Sequence, residues 1–357
     1  MISGLTMTTT SKARIPVTLL TGFLGSGKTT LLNQLLQSDW AHGEPVALLI
    51  NEFGSVGLDQ QLIGETGFPM ALLAGGCVCC AMQNTLLPTL KNLWMERNSG
   101  KFKPYQRIII ETTGLADPTS ILATFVQAKW AAERHYIDGV ITTVDAVFGM
   151  HQLNEHFEAV QQVTRADKLL ITKADLVDSA NLKILQQRLQ ALNPLAIIQT
   201  VQHGQIEPDQ LFNLRKTITS LVSAFNPPAL KLLNIDYKLP ILYLNDKASI
   251  KTDKRIQSFI VQFDQPVDLE RIKLGLSVVM GFCDQHLLRM KAILHTVQYA
   301  NPVVLHAVQH LLFPEQVLEH WSKADQTSRV VFITADREER AMEGVLQEFR
   351  AVIERGA

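Results

Sequence analysis

Between Ile15 and about Thr200, short apolar runs alternate with longer stretches of helical period, and no other feature of the sequence restricts the fold so strongly. The runs Ile15–Leu20, Val46–Ile50, Arg107–Ile110, Gly139–Val144 and Lys168–Ile171 read as strands buried on both faces. Strands of that kind belong inside a parallel sheet covered by helices on either side. The intervening Thr29–Gln37, Asn84–Arg97, Pro118–Ala128, Glu155–Thr164 and Ala180–Ala191 space their apolar residues as helices do. The expected class is therefore α/β, a doubly wound and mostly parallel sheet. After Leu221 the pattern loosens through Asn226-Pro227-Pro228 to about Asp246. A strand (Arg255–Phe263), a helix (Leu269–Gly281), strands near His286–Val297, Val303–His310 and Arg329–Ile333, and a helix (Glu338–Glu354) then predict a smaller α+β unit. Its sheet is expected to be antiparallel, with helices on one face. The chain thus divides into a first domain over 13–221, a linker over 222–250 and a second domain over 251–357, as its 357 residues suit.

Lys and Arg total 33 and Asp and Glu 34, a net charge of -1, which argues against nucleic acid or an anionic membrane as a partner of the whole surface. Met1–Arg14 is rich in Ser and Thr and lacks an apolar core of signal-peptide length. No run approaches the roughly 18 apolar residues of a membrane span. A cytoplasmic location is expected. Three of the four cysteines, Cys77, Cys79 and Cys80, lie within four residues, and Cys283 stands apart. Neighbouring cysteines are badly placed for relaxed disulfides, so a disulfide framework is excluded and a reducing compartment favoured.

The run Thr21-Gly22-Phe23-Leu24-Gly25-Ser26-Gly27-Lys28-Thr29-Thr30 follows a predicted strand and opens a predicted helix. Its spacing, Gly22, four residues, then Gly27-Lys28-Thr29, is that of a phosphate-binding loop. Glycines let the backbone wrap a phosphate with its amides pointing inward, and the helix N-terminus adds favourable partial charge. Gly22, Gly25, Ser26, Gly27, Lys28, Thr29 and Thr30 are the expected contacts. Lys28 is expected at the β- and γ-phosphates, and Thr29 is expected to offer its hydroxyl to Mg²⁺.

Thr172-Lys173-Ala174-Asp175 follows the strand Lys168–Ile171, at the edge where open α/β sheets bind ligands. A carboxylate at Asp175 accepts from the N1–H and exocyclic amine of guanine, whereas adenine presents an acceptor at N1, so guanine is preferred. Lys173 would cover the base with its alkyl stem. An ordinary helix cap at Asp175 is an equal reading of this tetrapeptide alone. The strand Arg107–Ile110 ends in Glu111-Thr112-Thr113-Gly114, where such NTPases keep an acid near Mg²⁺ and a glycine amide at the γ-phosphate; an ordinary solvated strand end is the other reading of Glu111 taken alone. Asn51-Glu52-Phe53-Gly54 opens a loop of the length that usually has a function.

That loop leads to Gly75-Gly76-Cys77-Val78-Cys79-Cys80. Three thiols so close together suit a soft or borderline cation such as Zn²⁺. A structural zinc site needs four ligands, so this one is expected to be open, which fits metal transfer better than storage. A redox dithiol and inert buried cysteines are the other readings of these three. Most of the ten histidines call for no special role. His306 and His310 sit in a predicted strand, which argues against a shared metal site, and Cys283 reads as structural.

Together and in this order, GFLGSGKTT, NEFG, GGCVCC, ETTGLADP and TKAD resemble the CobW-like GTPases, P-loop metallochaperones related to those that load nickel into urease and hydrogenase. The likeness runs on through Tyr136-Ile137-Asp138-Gly139-Val140, Ala166-Asp167 and Leu287-Leu288-Arg289-Met290-Lys291, the last typical of the CobW C-terminal domain. It implies a P-loop GTPase domain that binds and slowly hydrolyses GTP with Mg²⁺. Lys28, Thr29 and Glu111 would be catalytic, and Gly114, Thr172, Lys173 and Asp175 would join the loop in holding the nucleotide. It further implies that Cys77, Cys79 and Cys80 carry Zn²⁺ or Co²⁺ to a client metalloprotein; a homo-oligomer dependent on nucleotide or metal is a separate expectation. Three departures stand out. Ser55 replaces a glutamate common in the family, which leaves Glu52 as the carboxylate near the metal. Ala292 replaces a usual glycine, with an altered turn expected. No His-rich tract is present. A small-molecule kinase or ATPase of the P-loop class, and a zinc-sensing module with vestigial GTPase activity, are the competing functions.

Overall fold

The computed structural model describes residues 14–38, 40, 43–50, 70–72, 80–99, 104–214, 256–318, 326–336 and 338–354. Among these, seven strands form one sheet in the order β3-β2-β4-β1-β5-β6-β7, with every neighbouring pair parallel. They are β1 (Ile15–Gly22), β2 (Val46–Ile50), β3 (Met70–Leu72), β4 (Arg107–Glu111), β5 (His135–Asp145), β6 (Lys168–Thr172) and β7 (Ile197–Thr200). The expected doubly wound sheet is present, and the side chains show why. Val17, Leu19, Ile108 and Ile110 point to one face, where Leu86, Leu90 and Leu93 of α2 (Cys80–Asn98) and Ile121, Leu122 and Phe125 of α3 (Thr119–Gln127) cover them. Leu20, Val46, Leu48 and Ile109 point to the other, under Leu31, Leu32, Leu35 and Leu36 of α1 (Lys28–Gln37). Apolar residues on both parities of a strand require this double cover.

Beyond α3 come α4 (Lys129–Arg134), α5 (Gly149–Glu155), α6 (Phe157–Arg165), α7 (Ser179–Leu192) and α8 (Pro208–Leu211). β5 is longer than the apolar run that announces it. Asp138, buried at 3% exposure, is a polar residue inside it, made tolerable by an ion pair of 2.8 Å with Arg107 of β4. The expected helix over Glu155–Thr164 is broken at His156, whose extended backbone separates α5 from α6. The edge strands β3 and β7 are too short for a clear periodic signal.

The second sheet is antiparallel, in the order β11-β10-β9-β13-β8 with β12 against β10. Its strands are β8 (Ile256–Phe263), β9 (Leu287–Leu294), β10 (Val303–Val308), β11 (Leu311–Leu312), β12 (Gln316–Val317) and β13 (Ser328–Ala335). Helices α9 (Leu269–Cys283) and α10 (Glu339–Glu354) cover one face through Leu276, Val279, Met342, Leu346 and Phe349, as expected. Cys283 is fully buried there, its Sγ 3.4 Å from Met342 Sδ. Ala292 lies within β9 between Leu305 and Val330, so no turn exists there for the missing glycine to alter. His306 belongs to β10 and packs at a tilt against Phe313, ring centroids 4.4 Å apart, while His310 falls in the turn before β11.

The opposite face of the second sheet packs on helices of the first domain, chiefly α6 and α3. Ile260, Leu288, Val331 and Ile333 join Val160, Val163, Leu169 and Leu189 in one core. Val308, Leu311 and Phe313 join that around Phe125. At the seam, Asp167 meets Lys291 at 2.8 Å and also pairs with Arg289, which donates as well to the carbonyl of Arg165.

Candidate functional site

The glycine-rich loop leaves β1 at the carboxyl edge of the first sheet. Gly22 has φ 142°, and a Cβ there would fall 2.3 Å from Thr143 Oγ1, so only glycine fits. Gly27, at φ 89°, forms the N-cap of α1, and no side chain caps the helix. The leading amides of α1 are thus left for an anion, the arrangement used to bind phosphate. The loop is pinned from two strands. Ser26 Oγ lies 2.7 Å from Thr143 Oγ1, and Thr172 Oγ1 donates to the carbonyl of Ser26 at 2.8 Å. Lys28 is buried, its Nζ donating to the carbonyls of Gly22 at 2.9 Å and Phe23 at 3.3 Å. The ammonium thus bonds to carbonyls of its own loop. Thr30 is exposed on the first turn of α1.

Thr29 Oγ1 donates to Glu111 Oε1 at 2.9 Å, so the two expected Mg²⁺ residues meet. β1 and β4 are neighbours with Leu20 opposite Glu111, which brings the acid to the start of α1. Thr112 ties the strand end to β1 through Thr21 Oγ1 at 2.9 Å. Gly114 packs on the loop: a Cβ there would lie 2.5 Å from Leu24 Cδ2 and 2.7 Å from its amide. From behind, Gln162 of α6 donates to the carbonyls of Gly114 at 3.1 Å and Ala116 at 3.2 Å, and Arg165 pairs with Asp117 at 2.8 Å.

At the end of β6, Lys173 takes a left-handed backbone, φ 55°. Its Nζ donates to the carbonyl of Gly25 at 2.9 Å and to Asp145 Oδ2 at 2.6 Å. Asp175 lies in the short turn Ala174–Leu176 and is exposed. The cap position of that turn is Lys173, with no side-chain cap, so Asp175 is not spent as an N-cap. Gly22 to Thr30, Glu111, Gly114, Thr172, Lys173 and Asp175 therefore gather at one edge of one sheet. Glu52, Ser55, Cys77 and Cys79 lie outside the described residues, and Cys80 opens α2. Among the described residues no cluster of three or more His, Cys, Asp or Glu side chains forms a metal site, and no helix is long and apolar enough to cross a membrane.

Sequence reasoning passed over Thr143, Gln162 and Asp145. Asp145 had a signal of the kind that marked Glu111, an acid closing an apolar strand. It is 1% exposed, and its Oδ1 accepts from the amides of Val147 at 2.8 Å and Phe148 at 3.2 Å. Gln162 and Thr143 had none, being polar residues in a helix and a strand whose contacts exist only in the folded chain.

Residues 16–200 match the family model described as CobW/HypB/UreG, nucleotide-binding domain, and residues 256–350 match the cobalamin synthesis protein CobW C-terminal domain. The chain is 34% identical over 324 residues to the zinc chaperone YjiA of Escherichia coli strain K12, covering 89% of this chain and 93% of that protein. It is 34% identical over 209 residues to the zinc chaperone CobW of a Sinorhizobium species, 50% of this chain and 56% of that one. It is 32% identical over 200 residues to the zinc-regulated GTPase metalloprotein activator 1 of Schizosaccharomyces pombe, 54% of this chain and 47% of that one. The crystal structure of Zn(II)-bound YjiA GTPase from E. coli superposes with a TM-score of 0.67 at 31% identity, covering 95% of this chain and 100% of that one. With both sheets matched and the likeness to YjiA spanning nearly the full length of each protein, this chain belongs to the CobW/HypB/UreG family and carries the CobW C-terminal domain.

Proposed function

We propose that this protein is a slow GTPase that binds Zn²⁺, with Co²⁺ as the alternative cargo, through Cys77, Cys79 and Cys80 and delivers it to a client metalloprotein. The GTPase domain is taken to occupy 13–221 and the C-terminal domain 251–357, joined by the linker 222–250. The observation that carries the reading is the Thr29–Glu111 contact of 2.9 Å beside the uncapped start of α1. A hydroxyl and a carboxylate are hard oxygen ligands that fit Mg²⁺. Thr29 and Glu111 would hold the ion, which would supply neutralisation of the negative charge on the phosphates. The residues do the rest. The amides of Gly25 to Thr29 cradle the phosphates, and Lys28 exchanges its loop carbonyls for phosphate oxygens. Asp175, exposed and uncommitted to a cap, accepts from guanine, and the Gly114 amide meets the γ-phosphate. No side chain in this set is a credible general base, so turnover without a partner is slow. The names of the relatives as zinc chaperones support the cargo assignment.

Three measurements test this. GTP should outcompete ATP by at least about a hundredfold, because adenine leaves the Asp175 carboxylate facing an acceptor; equal displacement would favour the small-molecule kinase reading. Zn²⁺ affinity, measured with a GTP analogue, with GDP and without nucleotide, should differ among the three states, and equal values would remove the coupling. Fast hydrolysis by the isolated protein would contradict the mechanism as well.

A further inference from the structure

We propose that Asp145 is a positioning residue for nucleotide binding: it holds the Lys173 ammonium in the one place where it ties the phosphate-binding loop to the base-reading turn. The proposal rests on the nucleotide site assigned above and adds to it a residue with no place in the P-loop, Glu111 or Asp175 segments.

The geometry is specific. Asp145 closes β5 and sits opposite Thr172, the last residue of β6, so its carboxylate emerges beside the turn that carries Lys173 and Asp175. Its two oxygens have separate tasks. Oδ1 accepts from the amides of Val147 and Phe148, which fixes the orientation of the carboxylate. Oδ2 receives Lys173 Nζ at 2.6 Å, and the same ammonium reaches the carbonyl of Gly25, in the middle of the phosphate-binding loop, at 2.9 Å. Gly25 itself has φ 72°, and a Cβ there would meet open space, so no side-chain packing confines Gly25 itself. The Lys173 bond is its tie to β6, beside the one from Thr172 to Ser26. Asp145 is 2% exposed at its side chain and Lys173 37%, which makes the anion the fixed partner and the long cation the one needing to be held. A lysine side chain left free has substantial rotamer entropy to lose on ordering. With Asp145 in place that entropy is already lost before nucleotide arrives, and Lys173, in its left-handed backbone, keeps the base-reading turn and the phosphate loop in mutual register.

GTP and GDP share the base and the β-phosphate, so both should depend on this arrangement equally, while the chemistry at the γ-phosphate should not. The test uses Asp145→Asn in the full-length protein. Asparagine retains an oxygen for the Val147 and Phe148 amides and removes the charge facing Lys173. Affinities for GTP and GDP should each fall about tenfold, the scale of one charge-assisted hydrogen bond. Hydrolysis of bound GTP in a single turnover should stay within about threefold, because the groups at the γ-phosphate are untouched. In a Lys173→Ala background the same substitution should cost less than about threefold, since the partner it acts through is gone. Full loss in that background would mean Asp145 acts through the Val147–Phe148 turn and would overturn the proposal, as would unchanged affinity in the single variant. If ATP displaces GTP one for one in the wild type, it is the guanine assignment that fails; the cycle is then read with whichever nucleotide binds, and the same two outcomes decide the role of Asp145.

Discussion

His135 opens β5 at the edge of the sheet opposite the nucleotide site. It is 1% exposed and ringed by Trp94, Phe125 and Trp130, with ring centroids 5.7 to 6.0 Å away. Nδ1 lies 3.2 Å from the carbonyl of Ala131, and Nε2 is buried without a hydrogen bond. Burial pushes its pKa down from 6.5 to about 4; the Ala131 contact opposes this, and the charges of Arg134 and Arg97 add to the fall. The folded chain therefore keeps His135 neutral in a range where the unfolded chain protonates it. Its contribution is complete above pH 6.5 and is lost as the pH falls from 6.5 towards 4. Wild-type stability, followed by urea midpoint, should drop by about 2 to 3 kcal/mol over that window through this one group. His135→Phe should flatten the slope, and an unchanged slope would show that other groups set it. The nucleotide site makes a useful contrast in what single residues reveal. Glycines at 22 and 27, Lys28 and Thr29 were legible because a phosphate loop demands those residue types at that spacing. Gln162 and Thr143 were not, because nothing local marks a polar residue whose partners lie 46 or more positions away.

Helix α6 shows the same division at the next scale. Its apolar face was readable from period, but its start was not: the break at His156 involves no Gly or Pro, and the His156 ring stacks on Phe23 of the phosphate loop at 4.7 Å, a tertiary contact. Edge strands β3 and β7 escaped for lack of length, whereas the central strands, buried on both faces, were plain. The helix also supports the loop after β4. Gln162, 1% exposed, gives its amide to two carbonyls of that loop, while its own Oε1 has no hydrogen-bond partner. Gln162→Leu keeps the shape, abandons two buried acceptors and removes one orphaned oxygen, so the net cost should be about 1 to 2 kcal/mol. Gln162→Glu should cost more, because it replaces the donor with an acceptor facing two carbonyls. Urea unfolding of both variants checks the order, and the reverse order would mean that the amide is not donating as placed.

At the scale of the molecule the two sheets share a core, and this was the least readable feature. In β9, Arg289 and Lys291 alternate with Met290 and Ala292, a pattern that suggests one wet face. The face is instead closed over the first domain, with Arg289 and Lys291 3% and 6% exposed. Local pattern cannot separate a solvated cation from one buried against a distant carboxylate. That carboxylate is Asp167. Burial alone would raise its pKa, but Arg289 and Lys291, together with the Val140 amide at 2.8 Å, outweigh burial and hold it well below the usual carboxylate range. Burial lowers the pKa of Arg289 and of Lys291, and the Asp167 charge opposes that fall. Because the Asp167 pKa is depressed on folding, its contribution is present above the ordinary value of 3.8 and is lost as the pH falls below it, a window apart from that of His135. Asp167→Asn retains an acceptor for Val140 but strands two buried cations, which typically costs about 3 to 5 kcal/mol. The penalty falls on the seam, so calorimetry should show the wild type unfolding in one transition and the variant in two, the second sheet first. Adding Lys291→Met should remove one stranded charge and bring the transitions back towards each other. A variant that melts as one unit at the wild-type temperature would mean the apolar contacts of Ile260, Leu288, Val331 and Ile333 hold the seam without the ions.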